Sequence, residues 1–139
     1  MADQFSNLLD EIHEKYPQYE KPAYIFVRAA LDYTLHRLKE RKELQQPRHI
    51  SGQELAAGIR EFAIDQFGPI AKTVLNSWGV FETLDFGKIV FILIEYKVLG
   101  KRDEDRVEDF LNCFEFEQAF EVPFRPSRGI PADLLKVSV

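Results

Sequence analysis

The sequence predicts a mainly α, α+β domain: a helical body that ends in a small C-terminal β-hairpin. Three observations predict it. Apolar residues recur every three to four positions from Phe5 to Leu38, the spacing of amphipathic helices. Ser51 and Glu54 stand three apart, ahead of an apolar run that stops at Gly68-Pro69, which is how a third helix is punctuated. From Phe110 onward, Phe110, Phe114, Phe116 and Phe120 hold even positions, with acids at Glu115, Glu117 and Glu121 between them. That alternation suits a strand with one face on a core.

Taken in order, the first helix is expected over residues 3–16. Phe5, Leu8, Leu9, Ile12 and Tyr16 form its stripe, and Pro17 ends it. Pro22 suits the first turn of a second helix, whose apolar positions are Ala23, Phe26, Val27, Ala30, Leu31, Thr34 and Leu38. Asp32 and His36 are spaced to pair along it, and its basic last turns complement the helix dipole. After the break at "QQPRHI", Ser51 and Glu54 form a capping box flanked by Ile50 and Leu55 as a hydrophobic staple. Leu55, Ile59, Phe62, Ala63 and Phe67 give this third helix its buried face. Gly68 stops it, and Pro69 opens a shorter helix with Ile70, Val74, Leu75 and Trp78 inward, closed by Gly79. Thr83 and Asp85 start a helix that is apolar on nearly every side as far as Tyr96, and such a helix is central. "VLGKRDEDRVEDF" reads as a short strand, an acidic loop and a return, before the alternating Phe residues. "VPFRPSRGIPADLLKVSV", with three prolines, is expected to be an extended tail.

No repeat or long linker divides the chain, so residues 1–121 are expected to form one compact domain. It comprises an N-terminal helical pair (1–46) and a part with winged-helix-like element order (47–121), followed by the tail (122–139). Fold order of this kind licenses no function by itself. The blocks "VRAALDYT", "SGQEL", Arg60, "FGPIAKTVLNSWG", "DFGKIVF", Asp109-Phe110 and Phe116 together resemble an uncharacterised protein family restricted to Verrucomicrobia and Planctomycetes. The resemblance spans roughly residues 5–121. It implies a bacterial domain, and it carries no activity, cofactor or catalytic residue with it.

The chemistry-bearing residues are thinly spread. His13, His36 and His49 lie on three separate segments, without the four-residue pairing of a zinc helix, so no metal site is expected. Cys113 is the only cysteine, which excludes an internal disulfide; among phenylalanines it reads as a small buried hydrophobe. "GPIAKT" echoes a phosphate-binding loop, but Ala71 and Gln66 stand where that loop needs glycine, and a helix precedes it instead of a strand. Lys72 reads as a solvated helix residue. "DEDRVED" lacks the ligand pattern of a calcium loop. No nucleophile elbow surrounds any serine. Trp78 reads as a core anchor, and Arg60 as a partner for a carboxylate of the acidic C-terminal segment. No catalytic residue and no cofactor is therefore expected, and the leaning is against an enzyme.

Charge is polarised. Residues 35–49 carry Arg37, Lys39, Arg41, Lys42 and Arg48 for a net +3, whereas 103–121 carry eight acids against Arg106 for a net -7. Such asymmetry bears on association. The candidate interaction surface is Arg37, Lys39, Arg41, Lys42, Arg48, Asp103, Glu104 and Asp105. The expected role is a non-enzymatic protein-interaction or regulatory module, with a protein partner or self-association. The alternative is nucleic-acid binding through the basic segment 37–48. That alternative is disfavoured because the net charge is -5 and the loop in the wing position is acidic, so phosphate would be repelled. The longest apolar run, "IVFILI", is too short for a bilayer, which needs about 20 residues. With an acidic N-terminus lacking a signal-like apolar region, a cytoplasmic protein without membrane attachment is expected.

Overall fold

Five α-helices form the body of the protein in the computed structural model, which describes residues 4–40, 50–100 and 105–125. They are α1 (Gln4–Lys15), α2 (Lys21–Glu40), α3 (Gly52–Phe67), α4 (Ala71–Ser77) and α5 (Thr83–Glu95). α1 buries Leu9 and Ile12, and α2 buries Ala23, Phe26, Val27, Ala30, Thr34 and Leu38, each on the stripe that its spacing predicts. α3 begins as its sequence requires. The Ser51 hydroxyl accepts from the Glu54 amide at 3.0 Å, while the Glu54 carboxylate accepts from the Ser51 amide at 2.8 Å. Gly68 ends α3 with φ 54°, and Pro69 lies in the short 3-10 turn (Gly68–Ile70) that leads into α4.

α5 is the centre. Phe86, Ile89 and Leu93 are wholly buried, and Val90 and Ile92 nearly so, because neighbours cover it on several sides. Its start differs from the expected Thr83 cap. Glu82 is the N-cap, and Asp85 Oδ2 accepts from the Phe81 and Glu82 amides at 2.9 and 3.2 Å. Thr83 sits inside the first turn, where its buried hydroxyl donates to the Phe110 carbonyl at 2.5 Å and accepts from the Cys113 amide at 3.1 Å. Asp85 Oδ1 also accepts a buried hydrogen bond from the Tyr19 hydroxyl at 2.6 Å, which ties the α1–α2 connection to α5.

The expected C-terminal β-hairpin is not formed, and the winged-helix-like order falls with it: no strand occurs among the described residues. The segment is a 3-10 turn (Val107–Phe110), a five-residue π-type turn (Glu117–Glu121) and a second 3-10 turn (Val122–Phe124). Every regular element among the described residues is helical. The physical reason lies in which residues are buried. Phe116, Ala119 and Phe120 are inside, while Glu115, Glu117 and Gln118 are outside. Burial at i, i+3 and i+4 is helical spacing and not alternation. Asn112, at an even position, is exposed with φ 52°, and it turns the chain where a strand would have continued. Phe116 stacks on Phe86 at 5.8 Å between ring centroids and meets Phe120 edge-on at 5.2 Å, so the segment closes the core from beneath α5.

Candidate functional site

Two concave regions stand out, and the first takes in Asp105, Arg106 and Asp109 of the acidic segment. The first is a cavity of about 250 Å³ between α2, α3, α5 and the 3-10 turn at Val107–Phe110. Leu31, Leu55, Val90, Ile94 and Phe110 supply apolar wall, and Ser51, Asp105, Arg106 and Asp109 stand among its polar lining. Phe110 is held in place by close approach. A side chain at Gly87 would come within 2.8 Å of the Phe110 ring, and one at Gly52 within 3.0 Å of it. The ring therefore sits in a slot that two glycines make, with its carbonyl held by Thr83.

The second region is a pair of shallow grooves either side of α2 that share Ile25 and Ala29. One runs against Phe5 and Leu9 of α1, the other against Phe62 and Phe67 of α3 and Trp78. Ile25 is 50 % exposed on the ridge between them. Phe26, Phe67 and Trp78 form an aromatic cluster, with centroids 5.6–5.7 Å apart. On the other side, the Arg28 guanidinium lies 4.5 Å over the Phe5 ring. Trp78 is half-buried, so it anchors this cluster while keeping one edge on the groove.

Of the sequence-predicted surface residues, Arg37, Lys39 and Asp105 lie among the described residues. Arg37 Nε bonds Glu61 at 2.9 Å, with Glu40 at 3.6 Å, and Tyr33 donates to the same Glu61 oxygen at 2.9 Å. Lys39 is exposed on the last turn of α2, and Asp105 is half-buried in the cavity lining. Arg41, Lys42, Arg48, Asp103 and Glu104 lie outside the described residues, as does His49. His36 faces Glu40 at 3.6 Å, one turn beyond it, and not Asp32. Arg60 is exposed; Lys72, expected to be simply solvated, instead bonds Glu121 at 2.5 Å, and Arg125 lies 3.3 Å from Glu117 and 3.8 Å from Glu121.

Among the described residues, no cluster of three His, Cys, Asp or Glu side chains could hold a metal ion. His13 Nε2 lies 3.7 Å from Glu20, far from Cys113 in the chain and on another element. The Cys113 thiol is half-buried, 3.3 Å from the Asp109 carbonyl. Burial and then the Asp109 charge push its ionisation up, only partly offset by Thr83, the opposite of what activates a nucleophile. Tyr19 is likewise pushed up, first by burial and then by its bond to Asp85, so it stays a neutral donor. Among the described residues, no helix is long and apolar enough to cross a membrane. No protein-family model, curated protein or solved structure matches the chain.

Proposed function

We propose that this protein is a non-enzymatic interaction module that docks an amphipathic helix of a partner protein onto the face built around Ile25. The observation that carries this reading is the half-exposed Ile25 between two apolar grooves, backed on one side by Phe26, Phe67 and Trp78. Contiguous apolar surface rich in aromatic residues is what interface centres are made of. Parallel grooves either side of a ridge suit the spaced apolar anchors of a helix. Arg28, Asp32 and Gln66 around the grooves supply a polar rim of mixed sign. The nucleic-acid alternative draws less support, because Arg37 is already engaged by Glu61 and Glu40.

Capture of partners from native lysate, with and without nuclease, tests the proposal when wild type is compared with Ile25→Glu. Half of the Ile25 side chain is already in water, so the substitution leaves the fold intact while placing a charge at the centre of the face. The expected result is a stoichiometric protein that survives nuclease with wild type and is lost with I25E. Recovery of nuclease-sensitive nucleic acid, or capture that I25E does not alter, would overturn it.

A further inference from the structure

We infer that the cavity between α2, α3, α5 and Phe110 is a binding site for a small, uncharged, mainly apolar molecule carrying one oxygen at its end. The space is a mainly apolar pocket of about 250 Å³ that opens to solvent on one side. Dry apolar cavities of about 150 Å³ already accept benzene. The floor is closely packed from behind. Phe110 is seated between Gly52 and Gly87, with its carbonyl bonded to Thr83, and it is 3 % exposed. The cavity is preformed, as small-molecule sites generally are.

The lining sets the chemistry of the occupant. Its body is apolar, from Leu31, Leu55, Val90 and Ile94. Its charged groups, Asp105 and Asp109 with Arg106, are of mixed sign, and taking a charged head of either sign from water to the apolar wall costs free energy unless it is fully paired. A neutral head avoids that cost. The Ser51 hydroxyl accepts from the Glu54 amide, which leaves its own hydrogen to donate to an oxygen of the occupant. A six-carbon chain or a single ring with one hydroxyl or carbonyl fits this description.

The test uses the full chain and three probes with a common tail: hexan-1-ol, hexanoate and hexylammonium, followed by amide and methyl NMR titration. Hexan-1-ol is expected to give saturable shifts at Leu31, Leu55, Ile94 and Phe110, with intermolecular NOEs to the Phe110 ring. Both charged probes are expected to bind at least tenfold more weakly. Leu35→Phe, at a half-buried position in the lining, is expected to weaken hexan-1-ol binding at least tenfold. The NOEs in wild type place the ligand even where that variant folds poorly. Absence of saturable hexan-1-ol binding, or NOEs confined to residues outside the cavity, would overturn the site. A charged probe binding as well as the alcohol would overturn the ligand class.

Discussion

Replacing Gly58 with alanine sets two effects of opposite sign against each other. Gly58 lies in the interior of α3, and by helix propensity alone G58A should stabilise by roughly 1 kcal/mol. The structure says that packing wins. A Cβ at this position would fall 1.8 Å from Thr34 Oγ1 and 2.7 Å from both Thr34 Cβ and Cγ2, whereas real Cβ contacts are essentially never below 3.0 Å. Rotating the threonine does not cure this, because its Cβ stays put and one of its branches remains nearby. The hydroxyl is also committed, donating to the Ala30 carbonyl at 2.7 Å, and Thr34 is 4 % exposed. α2 and α3 must therefore separate along the most extensive contact between the described helices. Overpacking of this kind costs about 3 kcal/mol, the upper part of its usual range, so G58A should lose about 2 kcal/mol net. For a domain of this size that is roughly 8 °C in melting temperature. Urea denaturation followed by far-ultraviolet circular dichroism measures it. Thr34→Ala in the G58A background should recover about 1 kcal/mol of the loss, and only part, because Cβ remains close. An unchanged or raised stability for G58A would refute the reasoning, since propensity would then have decided the outcome.

Tyr19→Phe should lose about 2 kcal/mol in the same assay, because it strips a buried hydrogen bond from the Asp85 carboxylate. Tyr24→Phe is its control: the buried Tyr24 hydroxyl has no hydrogen-bond partner among the described residues, so its removal should be neutral or stabilising by up to about 1 kcal/mol. Lys15 and Tyr16 both donate to Glu95, at 2.6 and 2.5 Å, and hold its carboxyl below the usual carboxylate range. A depressed carboxyl contributes stability above its unfolded-state value and loses it as pH falls through the folded value. The urea midpoint of Glu95→Gln should accordingly fall less steeply than that of wild type on acidification below the usual carboxylate range.

The parts of the fold legible in the sequence are those decided by neighbours in the chain. The α3 start rests on two reciprocal bonds between residues three apart, and the stripes of α1 and α2 rest on spacing alone. The segment after Phe110 was misread because its order is imposed from elsewhere. Thr83 takes the Phe110 carbonyl and the Cys113 amide, and Phe86 takes Phe116. Alternation of four phenylalanines described their identities correctly and their geometry wrongly, with Asn112 and Gln118 as the even positions that break it. The proposed docking face had one legible signal. Ile25 is an apolar residue off the Ala23, Phe26, Val27, Ala30 stripe, and a large apolar side chain on the polar face of a helix asks for a partner.

The cavity had no such signal, and its illegibility shares a cause with the missing hairpin. The chain segment that fails to form a strand is the one that delivers Phe110 into the slot between Gly52 and Gly87. Had 105–121 run as a flat hairpin, alternate side chains would have pointed away from α5, and no aromatic floor would lie between α3 and α5. Compact 3-10 geometry at Val107–Phe110 instead brings Asp105, Arg106 and Asp109 to the cavity lining in the same turn that buries Phe110. Part of the acidic run is thus cavity wall, while Glu108, Glu115 and Glu117 are exposed. Long-range electrostatics is the natural reading of such a run in a sequence, and the fold adds local packing to it at Asp105 and Asp109.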